Sequence, residues 1–376
     1  MSTWLCATAV LAQLRSEWSL SATAGSWLTI AVQLGFVVGA LAASAVNLPD
    51  LLPPARLITI AAVGAAIVNA FLVTVDTSGA AIALRFGTGF FVAGIYPPAL
   101  KFIATWFKQR RGVALGVLVG ALTLGTASPH MINAFGGIEW EAVVLIASGL
   151  SLCGAVVASR VKEGPYPFPR AIFDPRQIGR TFANRGVRLA SLGYFGHMWE
   201  LYAAWAWVHV FFTHAAGDRP RTGALVAFAV VGIGALGCYA GGRLGDGWGR
   251  TRTTAAAMAM SGACALTIGF LESGPLWLLV AVGLIWGFSV VSDSAQFSTM
   301  VTELADQAYV GTALTVQLAL GFTLTVVTIW LIPIVEGDHG WGWAFALLAL
   351  GPAFGIVAML RLKALPEARL LSGGRG

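Results

Sequence analysis

Eleven apolar runs, each close to the 20 or so residues that cross roughly 30 Å of hydrocarbon, succeed one another along this chain of 376 residues. They lie near 22-47, 57-75, 80-107, 112-133, 141-160, 188-214, 223-242, 253-271, 275-301, 309-335 and 340-361. A water-soluble fold has no place for so many, and the surface chemistry agrees: 57% of residues are hydrophobic and 11% charged, where soluble domains carry about 25% charge. Inside a bilayer each backbone N–H and C=O must be satisfied within the protein, so runs of this length have to be helices. The sequence predicts an all-α membrane protein. Ahead of the first full run, Ser2 to Leu14 is apolar but only half a span, and Arg15-Ser16-Glu17-Trp18 closes it with a polar turn.

The formal net charge of +6 does not mark a nucleic-acid surface, because the cations are spread through short loops. With the loop between the second and third spans placed in the cytoplasm, eighteen Lys and Arg fall inside and three, Arg15, Arg219 and Arg221, outside. That asymmetry orients the chain with its C-terminus cytoplasmic, in a plasma membrane of the bacterial inner-membrane type. The four cysteines, Cys6, Cys153, Cys238 and Cys264, sit in apolar runs with neither disulfide nor metal-ligand spacing. No cofactor, metal or nucleophile–base arrangement is expected, and Gly232-Ile233-Gly234-Ala235-Leu236-Gly237 lies inside a span with no strand before it, which excludes a dinucleotide site.

The chain also repeats itself. Offsets of 196 to 199 bring Asp50 onto Asp246, Arg56 onto Arg252, Gly89-Phe90 onto Gly287-Phe288, and Gly112-Val113-Ala114-Leu115 onto Gly311-Thr312-Ala313-Leu314. A proline-rich basic stretch separates the copies. We expect an N-terminal bundle of spans 1-6 (1-160), a cytoplasmic linker (161-187), a C-terminal bundle of spans 7-12 (188-364) and a cytoplasmic tail (365-376). Two parallel halves of six are a known transporter plan. The register puts the start of the first span about eight residues before Met1, so that span is expected to be N-terminally truncated.

The loop after the eighth span reads Gly242-Arg243-Leu244-Gly245-Asp246-Gly247-Trp248-Gly249-Arg250-Thr251-Arg252. It resembles the GxLxDxxGRxR loop signature of the major facilitator superfamily. The 4/5 loop, Trp106-Phe107-Lys108-Gln109-Arg110-Arg111-Gly112, and Arg85 with Gly89 in the fourth span are similar to that family's as well. The 2/3 loop keeps only Asn47-Leu48-Pro49-Asp50 and Arg56, with Pro53 and Pro54 where Gly249 and Arg250 stand in the other copy. The resemblance implies two six-helix bundles with twelve spans, the first incomplete. It also implies a central cavity lined by spans 1, 4, 7 and 10, and gating contacts from Asp246 to the start of the fifth span near Gly112 and from Asp50 to the start of the eleventh near Gly311.

Ionisable groups within spans are costly and usually face a cavity. Glu200 lies about twelve residues into the seventh span, near the midplane, with His197 three residues earlier on the same helical face. The two are candidates to take up and release a proton. Asp293 and Gln296 share a face of the tenth span with Met300 and are expected to line a wet pathway, opposite the repeat-related Tyr96 in Tyr96-Pro97-Pro98. Arg85 is a candidate anion or carboxylate partner. Trp199, Tyr202, Trp205 and Trp207 could bracket a flat substrate, and His130 and His209 have no assigned part.

The sequence thus points to a secondary active transporter, not an enzyme, working by alternating access with proton coupling on a small organic or inorganic anion or zwitterion. Within the class the alternative is a drug or metabolite efflux antiporter; outside it, a non-transporting membrane sensor or receptor. A monomer in the lipid bilayer, with a small-molecule substrate and the proton as partners, is expected.

Overall fold

A computed structural model describes residues 1-107, 111-135, 139-166, 176, 178-306 and 309-376, with only the backbone of residues 22, 23, 49, 50, 104, 111, 180 and 181. Lys108, Gln109 and Arg110 of the 4/5 loop and residues 167-175 of the linker therefore lie outside the described residues, as does the side chain of Asp50. Among the described residues there is no strand.

The helices are α1 (Cys6–Ala9), α2 (Leu11–Glu17), α3 (Ala22–Ala45), α4 (Leu48–Leu51), α5 (Pro54–Ala70), α6 (Ser78–Val92), α7 (Tyr96–Ala104), α8 (Arg111–Ala134) and α9 (Trp140–Arg160). Then follow α10 (Ile178–Ala183), α11 (Arg185–Ala215), α12 (Pro220–Gly247), α13 (Arg250–Ile268), α14 (Leu276–Val290), α15 (Ser294–Leu304), α16 (Val310–Ala346) and α17 (Leu350–Lys363). Nine segments among the described residues are long and apolar enough to cross a membrane. The last, Val310–Lys363, holds two passes divided at Gly340, whose φ of 80° breaks the helix. α11 adds an eleventh pass of 31 residues; it is the span that carries His197 and Glu200.

Helix starts follow from local chemistry. Ser21 caps α3 by accepting from Ala24 N–H, Asn184 caps α11 by accepting from Val187 N–H at 3.1 Å, and Pro54 and Pro220 occupy first positions where no N–H is needed.

Two spans are broken near mid-depth. α6 ends at Val92 and α7 begins at Tyr96; α14 ends at Val290 and α15 begins at Ser294. Each boundary of the first break recurs 198 residues later in the second. Pro97 and Pro98 explain the first break, since neither donates to the helix ladder. No proline stands at the second; there the Ser292 hydroxyl donates to Phe288 O at 2.5 Å, a bond that bends helices.

The packing repeats at the same offset. At Gly89 a Cβ would collide with the Val32 carbonyl, and at Gly287 with the Val230 carbonyl; Gly39 against Phe90 O is matched by Gly237 against Phe288 O. Only glycine permits these close backbone approaches. The chain therefore builds the same helix-on-helix contact twice, α3 on α6 and α12 on α14.

Candidate functional site

A small cavity of about 20 Å³, room for about one water molecule, lies where the two copies of the repeat meet. From the first copy come Tyr96, Val119 and Leu122, from the second Tyr194, Met198, Leu201, Tyr202, Trp205, Val291, Ser294 and Phe322. The broken spans supply its polar atoms: Tyr96, first residue of α7, and Ser294, first residue of α15, both line it. These positions are 198 apart, so the break in each copy brings a hydroxyl-bearing residue to the same cavity wall. No lining residue is charged. The walls are aromatic: Trp4 stacks on Tyr202 at 5.5 Å and touches Phe36 at 5.1 Å and Phe322 at 5.5 Å, while Tyr202 meets Trp205 at 5.6 Å. The indole N–H groups of Trp4 and Trp205 are buried without a partner among the described residues.

The ionisable groups stand behind this wall, within the second copy. Glu200 accepts from the Ser261 hydroxyl at 2.8 Å and from Trp286 Nε1 at 2.7 Å. His197 Nδ1 lies 2.9 Å from Asp293 Oδ1, both side chains almost wholly buried. The expected His197–Glu200 pair is thus not made: one turn of α11 separates them, and each turns to a different neighbouring helix. A carboxylate at this depth is held by whatever donors reach it: at Glu200 these are a hydroxyl and an indole, whereas Asp293 Oδ1 lies near His197 without making a hydrogen bond among the described residues.

Other expected positions divide. Tyr96 and Tyr202 line the cavity. Trp199 does not; its Nε1 donates to Leu347 O at 3.1 Å, on the far side of α11. Gln296 turns its Oε1 to Arg250, accepting from Nη1 at 2.7 Å. Arg85 is not presented to an anion. Its guanidinium is fully buried and donates to Thr3 O and Asn69 Oδ1, both at 2.8 Å, to Leu28 O at 3.2 Å, to Cys6 Sγ at 3.3 Å and to Trp4 O. It ties residues 3-6 to α3, α5 and α6. No carboxylate is among its partners.

The end of the bundle carrying Arg243, Arg250 and Arg252, the basic end, is shut by contacts between copies. Asp246 Oδ2 accepts from Val113 N–H at 3.2 Å, near the start of α8, where exposed amides and the helix dipole favour a negative charge. A Cβ on Gly112 would strike that carboxylate. Asp246 also lies 3.4 Å from Arg250, which Glu303 grips through two bonds of 2.7 and 2.8 Å. Gly242 is buried against Gly112, and Gly249 has a φ of 107°. Arg252 and Arg56 are exposed. On the other seam the Ser44 and Thr315 hydroxyls meet at 2.9 Å. Toward the opposite end Trp4 stacks on the lining Tyr202, and the rings of His130 and His209 lie 5.4 Å apart, one from each copy.

Sequence reasoning missed Tyr194, Ser261, Trp286 and Glu303. Glu303 lies just past the expected end of the tenth span, at 301, and stands in the last turn of α15 in the structure; Ser261 and Trp286 carried no signal, since each is an ordinary span residue until Glu200 turns toward it.

A family model described as the Major Facilitator Superfamily matches residues 1–322. No curated protein matches the chain. Among solved structures, the crystal structure of the human organic anion transporter MFSD10 (TETRAN) is similar, with a TM-score of 0.68 and 16% identity over 94% of this chain and 89% of that one. At that identity the likeness is one of fold.

Proposed function

The chain belongs to the major facilitator superfamily, and from that premise we propose that it carries a small solute through the membrane by alternating access, driven by protons. It is an integral membrane protein of a transporter family, which points to a carrier and away from an enzyme. Bundles 1-160 and 188-364, joined by the 161-187 linker, rock about the cavity; the basic end, with tail 365-376, faces the cytoplasm of a bacterial-type cell, and the carrier is a monomer.

The observation that carries this reading is the meeting of the two repeat-related helix breaks at one small cavity between the copies, with Tyr96 and Ser294 both on its wall. Discontinuous helices at mid-depth are where such carriers bind substrate. Proton coupling is supported by three ionisable side chains, Glu200, His197 and Asp293, buried within one bundle directly behind the cavity wall. They sit on α11 and on the connection into α15, so a change of proton occupancy reaches Tyr194, Tyr202 and Ser294 through the same helices.

For the substrate, the cavity favours the efflux alternative over the small anion. An anion needs a cation, and Arg85, the cation within the first bundle's core, is occupied by neutral acceptors. The similarity to an organic anion transporter argues the other way but rests on fold alone. We propose a small, flat, mainly apolar solute with one or two hydrogen-bonding groups, held between Tyr202, Trp205 and Phe322 and met by the Tyr96 and Ser294 hydroxyls.

The test is counterflow in proteoliposomes against a panel of labelled neutral aromatic solutes and small anions. Exchange of a neutral aromatic solute, with KM raised about tenfold in Tyr96→Phe and Ser294→Ala, each losing one hydrogen bond to substrate, is the expected result. Exchange of small anions alone, indifferent to both substitutions, would overturn the substrate reading.

A further inference from the structure

Beyond its last span the chain runs back onto the gating loop. A 3₁₀ segment, Pro366–Gly373, places Leu371 fully buried and Ala368 nearly so. A hook follows, with Ser372, Gly373 and Gly374 all at positive φ, 51°, 64° and 97°. The left-handed region is unfavourable for serine, so contacts must hold it there. The Ser372 hydroxyl donates to Gly245 O at 2.8 Å, and Arg375 Nη1 donates to Asp246 O at 3.0 Å. Ser372 N–H donates to Glu303 Oε2 at 3.2 Å, on the same carboxylate that grips Arg250.

These acceptors are not incidental. Gly245 and Asp246 lie in the last turn of α12, whose final carbonyls have no partner within the helix. A hydroxyl and a guanidinium satisfy them, and a cation at a helix C-terminus also complements the dipole. The segment thus caps the very turn that presents the Asp246 carboxylate to Val113. It also touches Glu303, the residue that sets Arg250 beside Asp246.

We propose that residues 366-375 form an intramolecular latch that fastens to the 8/9 loop and holds the basic end shut, slowing the opening of the carrier on that side. The inference rests on the alternating-access reading. The latch is built to release: three hydrogen bonds, one buried leucine and an exposed arginine bias a two-state equilibrium without fixing it. Its natural control point is the Ser372 hydroxyl, since a negative group there loses the bond to Gly245 and faces Glu303 and Asp246.

Cys238 supplies a native reporter, being buried in the seam between α12 and α8, where the Gly116 position packs against its carbonyl. In the full chain with Cys6→Ser, Cys153→Ala and Cys264→Ala, the rate of Cys238 alkylation by N-ethylmaleimide in membranes reads the opening of that seam. Arg375→Ala, which loses one hydrogen bond, is expected to raise that rate about fivefold, and Ser372→Glu and a chain ending after residue 365, which lose more, by about tenfold or more. Asp246→Asn is expected to raise it as well. A rise in Asp246→Asn with all three tail variants at the parent rate would overturn the latch alone. No rise in any of the four would overturn both the latch and the gate on which it acts.

Discussion

Arg85 shows how far a residue type misleads without its neighbours. A cation in a membrane span near a glycine motif suggests a place for an anion, yet its acceptors are backbone carbonyls, an amide and a thiol. What sequence cannot supply is the position of Thr3 and Trp4, some eighty residues away. Removing the guanidinium leaves several buried acceptors unsatisfied, each worth about 1–3 kcal/mol. Arg85→Met is therefore expected to cost about 3 kcal/mol or more and to lower the thermal midpoint in detergent by several degrees, with KM for any transported solute unchanged. A raised KM at unaltered stability would return Arg85 to the substrate. Glu200 shows the converse: its depth and burial were legible from position in the span, while its partners Ser261 and Trp286 were not.

Among elements, spans and their ends were the most legible part, because length, apolarity and proline or glycine punctuation decide them. All eleven full runs reappear as helices or paired helices. The break in the fourth span was written in Pro97-Pro98; the break in the tenth was not, since a serine bonding back to the carbonyl four residues earlier, as Ser292 does to Phe288, also occurs in unbroken helices, and the repeat was the clue. The tight faces make a direct prediction. Gly89→Val and Gly287→Val each drive a side chain into a carbonyl of the neighbouring helix, at Val32 and Val230. Overpacking usually costs about 1–3 kcal/mol, and here backbone cannot move aside, so both variants are expected to yield little folded protein by size-exclusion chromatography, whereas Gly79→Ala, which meets open space, is expected to match the parent. Equal yield of all three would mean that these helices do not pack as described.

At the scale of the molecule, the two copies meet along two seams, α8 with α12 and α3 with α16, both closed at the basic end. The signature loop made the first legible; the second was expected from Asp50, whose side chain lies outside the described residues, and is instead marked by Ser44 and Thr315. Hydroxyls 2.9 Å apart put paired cysteines within bonding reach. Ser44→Cys with Thr315→Cys, oxidised, is expected to stop counterflow, and a reductant to restore it. Transport at the parent rate with the crosslink quantitatively formed would show that this end need not open.

In the proposed cycle a proton carried behind the cavity wall drives the solute inside it, with Glu200 as the group that carries it. The measurement is uptake of the counterflow substrate into proteoliposomes under an imposed pH gradient, for the parent chain beside Glu200→Gln. The parent is expected to accumulate or extrude solute in proportion to the gradient, and the variant to exchange solute without responding to it. A gradient-driven flux unchanged in Glu200→Gln would contradict that role and leave Glu200 as a packing residue between α11, α13 and α14.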